Sequence, residues 1–327
     1  MNRTLVVTFE LNADTSSILS EAIGGAARIE SISALDPAAR AAALRAASVV
    51  LARNPVRELK PDELALLGGA ALIQLIPAGV DFIPIGDLPA GVPVASNAGA
   101  YSEPMAEHAI ALTLAAAKRL MIEHAALTRG EFNQHTPNRM LAGMTCGILG
   151  FGGIGQATAR LMRAFGTRIH ALNRSGATKE PVDWIGTTGQ LDALLAAADV
   201  LVISIPLTRA THGLIGAREL GLMKKNAILV NLARGEIIDE AALFAHLRAT
   251  PGFTACLDAW WVEPVRHGTF RMDQPFMTLP NVIGSPHNSA SVAQTGSAAL
   301  RMAGLNCRRA LLGETVLNLV RPEDRYL

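Results

Sequence analysis

Glycines at 150, 152 and 155 make a G-x-G-x-x-G turn, and the chemistry such a turn serves is the binding of a pyrophosphate. Gly150 permits the tight turn, Gly152 lets a phosphate approach bare backbone, and Gly155 lets the following helix pack close to the preceding strand. The helix start at Gly153 and Ile154 offers free N–H groups and a partial positive charge to the same anion. Further along, four clusters hold the other candidates: Asn231-Leu232-Ala233-Arg234-Gly235, Leu257-Asp258-Ala259-Trp260-Trp261, Glu263-Pro264 and Ser285-Pro286-His287-Asn288. An arginine can fork two N–H groups onto a carboxylate, and histidine is the side chain suited to giving up a proton near neutral pH. Taken singly, each also fits a plainer role. An Arg-Gly pair after a strand serves equally as a surface ion pair, and a lone histidine as a satisfied polar residue.

Periodicity supplies the elements that must position these residues. Apolar runs at 146–149 and 169–172 flank a helical pattern carried by Ala157, Leu161, Met162 and Phe165, which reads as strand, turn, helix, strand. Further strands are predicted at 200–204, 227–231, 254–257 and 282–284, with helices near 191–197 and 239–249, giving a sheet of about six or seven strands. All four clusters follow strand ends, where open α/β sheets gather ligands. Upstream, strands at 4–9, 48–51, 71–76 and 92–95 alternate with a helix over 36–47 and a short one opened by Pro61. The loop Pro77-Ala78-Gly79-Val80-Asp81 lies at one of these strand ends. Ser102-Glu103-Pro104 introduces a long helix through Glu107, His108 and the apolar 109–120, and a polar segment at 129–139 follows. A last amphipathic helix over 290–312 and the tail 316–320 are expected to return to the first domain. Such alternation implies an α/β chain with parallel sheets covered by helices on both faces.

Composition narrows the function classes. At 327 residues the chain has room for about two domains and a sizeable core. A net charge of +1 and 4% aromatic residues give neither a phosphate-backbone footprint nor a stacking groove, which argues against nucleic acid as a partner. Cys146, Cys256 and Cys307 form no metal spacing, so no metal is expected and a reduced, cytoplasmic setting is. The N-terminal apolar run is too short for a signal sequence, and no stretch reaches the ~18 apolar residues of a membrane span. Only 17% of residues are charged, against about 25% in typical domains, in keeping with surface buried between subunits.

With the glycine turn, Ile205-Pro206-Leu207-Thr208 and the four clusters in this order, the chain resembles the D-isomer-specific 2-hydroxyacid dehydrogenase family, which includes phosphoglycerate dehydrogenases and glyoxylate/hydroxypyruvate reductases. The resemblance runs from about Gly79 to Asn288. It implies two doubly wound domains: a Rossmann dinucleotide-binding domain over 98–287, inserted in a smaller flavodoxin-like substrate domain formed by 1–97 and 288–327. It also implies roles that the chemistry makes sense of. Arg234 would bind the carboxylate and carbonyl of a 2-keto acid, His287 would donate the proton, and Glu263 would keep His287 oriented and protonated. Asp258 would face the nicotinamide side of the cofactor, and Pro206, Thr211, Leu232 and Ala233 would line the rest of it. Gly79 and Val80 match a loop whose backbone holds the substrate carboxylate, and Arg53 stands where some phosphoglycerate dehydrogenases place a substrate arginine; an exposed loop arginine accounts for it equally well.

Departures from the family pattern sharpen the expectation. NAD-preferring relatives carry an aspartate at the end of the second dinucleotide strand, where this chain has Asn173-Arg174-Ser175. An amide, a cation and a hydroxyl suit a 2′-phosphate, which predicts NADP in preference to NAD. Trp260-Trp261 replaces a single aromatic residue, either narrowing the pocket toward a small acid or serving packing. Glu263 stands where formate dehydrogenases have glutamine, and an end at Leu327 is expected to leave no room for the regulatory domain appended to some phosphoglycerate dehydrogenases. The expected activity is reduction of a glyoxylate- or hydroxypyruvate-like 2-keto acid by a homodimer joined through the 107–120 helix and the 129–139 arm. Corepressors of the C-terminal-binding type share the fold and the Arg, Glu and His, so a dinucleotide-sensing binding protein is the alternative.

Overall fold

The apolar runs become strands of two separate parallel sheets in the computed structural model, which describes residues 3–325. The first sheet contains β1 (Thr4–Val7), β2 (Arg28–Ser31), β3 (Val49–Ala52), β4 (Ile73–Leu75) and β5 (Val94–Ala95), in the order β2-β1-β3-β4-β5. This is the flavodoxin-like order. The second contains β6 (Thr145–Leu149), β7 (Arg168–Leu172), β8 (Trp184–Gly186), β9 (Val200–Ile203), β10 (Ile228–Asn231), β11 (Thr254–Leu257) and β12 (Val282–Gly284). Its order, β12-β11-β10-β9-β6-β7-β8, is that of a Rossmann sheet whose direction of winding reverses between β6 and β9. Parallel strands must be buried on both faces, and β1, β3, β6, β9 and β10 are buried throughout their lengths.

Two compact units result: Met1–Tyr101 with Val292–Leu327, and Ser102–Ser291. Residues 1, 2, 326 and 327 of the expected substrate domain lie outside the described residues. The divisions fall four residues beyond 97/98 and 287/288. Tyr101 is tied to the first unit by its hydroxyl, which donates to the Ile76 carbonyl at 3.1 Å, and Asn288 and Ser289 are tied to the second by their backbone N–H groups, which donate to the Asp258 carboxylate.

In the first unit the helix Ala13–Ile23 starts at a reciprocal cap between Asn12 and Thr15 and ends at Gly24 in the left-handed conformation, φ 58°. Asp36 caps the helix Pro37–Arg45 through the Ala38 and Ala39 N–H groups. The C-terminal tail forms an antiparallel bridge from Leu319 to Ala95, so it does rejoin the first unit. In the second unit the helix Ser102–Ala117 buries Ala109, Ile110 and Leu112 in one core with Cys146, Ile148, Met162, Val200 and Val230. It stops three residues short of the expected Leu120, because Arg119 turns left-handed at φ 55°; its guanidinium pairs with Glu123 at 3.0 Å at the start of a second helix, Leu120–Thr128. All three cysteines are buried and free; burial pushes the Cys146 and Cys256 thiols up to about 12 and Cys307 higher still, so they behave as core residues.

Candidate active site

β6, β9, β10, β11 and β12 end along one edge of the second sheet, and the turns that follow them carry every candidate of the glycine motif and the four clusters. After β6, Gly150 adopts φ 106°, and a Cβ there would stand 2.8 Å from the Ile205 backbone N. A Cβ on Gly155 would lie 2.3 Å from the Gly150 carbonyl oxygen, whereas nothing lies within 4 Å of one on Gly152. The turn therefore closes tightly at both ends and stays open at Gly152 and Gly153, both exposed at the N-terminus of the helix Gly153–Ala164. That cradle fits a dinucleotide pyrophosphate.

After β7, Asn173 spends its carboxamide on its own loop. Its Oδ1 accepts from the N–H groups of Ser175 and Gly176 at 3.1 and 2.7 Å, and its Nδ2 donates to the Ala177 carbonyl at 2.8 Å. Asn173 thus shapes the turn, while Arg174 and Ser175 are its exposed residues. Beyond β9, the Thr211 hydroxyl donates to the Pro206 carbonyl at 2.7 Å and closes the 206–211 loop. Beyond β10, Leu232 and Ala233 are buried, and Asn231 holds the turn by accepting from the Ala233 N–H and donating to the Arg234 carbonyl.

Gly235 explains why an Arg-Gly pair stands here. A Cβ on it would lie 2.3 Å from the Trp260 carbonyl carbon, so only glycine lets the turn bearing Arg234 press against the turn bearing Glu263. An ion pair between Arg266 and Glu236, both nearly buried, fastens the same two turns.

Glu263 and His287 meet at 2.7 Å, Oε2 to Nδ1. The other carboxylate oxygen, Oε1, accepts from the Trp260 N–H at 2.7 Å, and the Glu263 N–H donates to His267 Nδ1 at 3.0 Å. Burial favours the neutral form of Glu263, but the His287 bond, the Trp260 N–H and the nearby Arg234 charge outweigh it and hold the carboxyl below its ordinary range. An ionised Glu263 can only accept, so Nδ1 carries the proton. Nε2 is then the ring atom without a hydrogen bond among the described residues.

His287 itself sits at φ 50°, a conformation a non-glycine residue holds only when its surroundings demand it. Asp258 supplies the demand. Fully buried, it accepts from the N–H groups of Asn288 and Ser289 at 3.1 and 3.3 Å and from the Ser285 hydroxyl at 2.6 Å, while its own carbonyl accepts from the His287 N–H at 2.8 Å. Because the one Ser285 hydroxyl proton goes to Asp258, the 2.9 Å contact to His108 Nε2 makes histidine the donor there. The chain of bonds runs His108, Ser285, Asp258. Its members anchor the loop that bears His287.

Trp260 and Trp261 divide their roles. Trp261 stacks on Phe276, centroids 5.2 Å apart, and donates to the Ile238 carbonyl; Trp260 donates to the Ser285 carbonyl and walls a cavity of about 640 Å³ that His287 also lines. In the first unit, Arg53 follows β3 with its guanidinium 4.5 Å from the centroid of the Phe9 ring, and Gly79 and Val80 are half-buried in the loop after β4. No cluster of three or more metal-ligating side chains occurs, and no helix is long and apolar enough to cross a membrane, among the described residues.

Residues 110–289 match the family model of the D-isomer specific 2-hydroxyacid dehydrogenase, NAD binding domain. The chain is 32% identical over 325 residues, 97% of its own length and 59% of the relative's, to a D-3-phosphoglycerate dehydrogenase of Methanocaldococcus jannaschii. A glyoxylate reductase of Aeropyrum pernix is 36% identical over 241 residues, 71% of this chain and 70% of that one. A D-isomer specific 2-hydroxyacid dehydrogenase from Xanthobacter autotrophicus, solved with NADPH and MES, superposes with a TM-score of 0.78 at 28% identity over 98% of this chain and 99% of that one. With residues 110–289 matched to that family model, more than half of its length, the chain belongs to the D-isomer-specific 2-hydroxyacid dehydrogenase family of NAD(P)-dependent oxidoreductases.

Proposed function

We propose that this oxidoreductase reduces a 2-keto acid to the D-2-hydroxy acid at Arg234, Glu263 and His287, with NADPH preferred to NADH. The 2.7 Å bond between His287 Nδ1 and Glu263 carries the proposal. It fixes the ring by its Nδ1 edge and leaves Nε2 to hand a proton to the oxygen of a substrate carbonyl. Arg234 holds the substrate carboxylate and stabilises charge developing on the carbonyl oxygen. A nicotinamide cofactor, when bound, supplies the hydride. Gly150, Gly152, Gly153, Ile154 and Gly155 would hold its pyrophosphate, Arg174 and Ser175 its 2′-phosphate, with Asn173 shaping their loop, and Pro206, Thr211, Leu232, Ala233 and Asp258 the remainder.

The unit Ser102–Ser291 is thus read as the dinucleotide-binding domain and the other as the substrate domain, whose candidates for binding the acid are Arg53, Gly79 and Val80. A homodimer is proposed through the helix Ser102–Ala117 and the 129–139 arm. Phe132 and Met140, at and beside that arm, are 79% and 70% exposed, an arrangement a partner copy would cover.

The test is the initial rate of NADPH and of NADH oxidation with glyoxylate and hydroxypyruvate, followed by chiral analysis of the product. Reduction to the D-hydroxy acid is expected. Tight NADPH binding with no turnover across a broad panel of keto acids would instead favour a dinucleotide-sensing binding protein.

A further inference from the structure

The cavity beside His287 has an uneven chemistry. Its walls come from Trp260, Val265, Phe270, Met272 and Met277, with Phe270 set edge-on to Trp260 at 5.8 Å between centroids. The polar side chains that reach it are committed elsewhere: Glu263 to His287 and the Trp260 N–H, Ser285 to Asp258, and the Trp260 indole N–H to the Ser285 carbonyl. His287 Nε2 is what remains. No Lys or Arg lines the cavity among the described residues, so a phosphorylated substituent finds no counter-charge. A hydroxymethyl group finds no partner among the lining side chains either. Gly284 keeps the space open, since a Cβ there would meet Trp260 at 2.9 Å and the Met277 sulfur at 3.2 Å.

We propose that this cavity is the side-chain subsite of the reaction, and that the substrate is a 2-keto acid bearing a branched aliphatic or aryl substituent. The proposal rests on the reading of His287 as proton donor. With the keto group at Nε2, an apolar substituent enters the space between Trp260, Phe270 and Met277, whereas hydrogen or hydroxymethyl leaves most of about 640 Å³ to water.

The test compares kcat/KM for pyruvate, hydroxypyruvate, 4-methyl-2-oxopentanoate and phenylpyruvate. All four are ketones, which removes the intrinsic reactivity advantage of an aldehyde such as glyoxylate. One or both of the larger apolar acids is expected to exceed pyruvate by about 100-fold or more. Equal values, or preference for hydroxypyruvate, overturn the proposal and leave the His287 reading standing; no turnover with any of the four sinks both. Met277→Gln and Val265→Thr are near-isosteric and lie at exposed positions, so folding is retained. Each is expected to cut the preference for the apolar acid over pyruvate about 10-fold. An unchanged ratio contradicts the proposal. An unchanged ratio together with altered association by light scattering assigns the cavity to a contact between copies of the chain instead.

Discussion

Replacing Glu263 by glutamine changes one atom and should disable the site, for a reason that lies in the backbone. The Trp260 N–H reaches Oε1 at 2.7 Å in a buried setting, so the carboxamide must turn its oxygen there. Its NH2 then faces His287 Nδ1 at 2.7 Å and requires that nitrogen to be bare. The imidazolium would place two donors head to head, so the neutral ring is selected and the acid is lost. Loss of the charge-assisted bond costs about 1.5–3 kcal/mol. Opposed donors, or an unsatisfied Trp260 N–H if the amide flips, cost about 1–3 kcal/mol more. Together these correspond to a fall of about 10²- to 10⁴-fold in kcat. Stopped-flow oxidation of bound NADPH at saturating keto acid measures it. A rate within about threefold of the parent would refute the reasoning, since it would mean that the pair does not supply the proton. Because the Glu263 carboxyl is held below its ordinary range, the intact pair should also persist as pH falls past the point where a free glutamate protonates.

Arg174→Asp should reverse the cofactor preference from NADPH toward NADH, read as the ratio of kcat/KM values; an unchanged ratio excludes Arg174 from 2′-phosphate recognition. Ser285→Ala removes the 2.6 Å bond to Asp258 and the 2.9 Å contact with His108, so the loop that holds His287 at φ 50° loosens. A fall in kcat of about 10- to 100-fold with little change in KM is expected, with recovery in Ser285→Thr; equal losses in both variants would point to packing rather than the hydroxyl. In the first unit, Arg40 forks onto Glu63 at 2.8 and 3.0 Å and, with burial opposing it, lowers the Glu63 carboxyl to about 2 from an ordinary value near 4.5. A lowered folded-state value means stability present above about pH 4.5 and lost as pH falls toward 2. Glu63→Gln should therefore be less stable by about 2–3 kcal/mol near pH 6, with the gap closing toward pH 2; a gap independent of pH in urea titrations would refute the linkage.

How much of this was legible in the sequence depends on burial. Central strands such as β6, β9 and β10 are buried on both faces and read directly as apolar runs. The two strands not anticipated, β2 and β8, are edges of their sheets: Arg28-Ile29-Glu30-Ser31 carries one apolar residue and Trp184-Ile185-Gly186 spans only three positions. The early end of the helix at Ala117 was equally hidden, because an arginine gives no warning of a left-handed turn. In the site, the chemically distinctive residues announced themselves through their place after strand ends, whereas their supports did not. Ser285 and the Glu236–Arg266 pair are ordinary polar residues whose role appears only once the turns after β10, β11 and β12 are brought together. Asn173 illustrates the opposite case. Its type suggested a phosphate ligand, but the carboxamide is consumed by a turn that depends on Gly176 at φ 64°.

The most direct measurement is the rate of NADPH oxidation with a 2-keto acid by the parent protein and by His287→Gln, with NADPH affinity determined separately by fluorescence titration. The expected result is D-hydroxy acid formation by the parent, a loss of about 10²- to 10⁴-fold in the variant, and NADPH binding retained in both. Turnover in His287→Gln close to that of the parent would contradict the assignment of the proton donor, and a parent protein that binds NADPH but reduces no 2-keto acid would contradict the proposed activity itself.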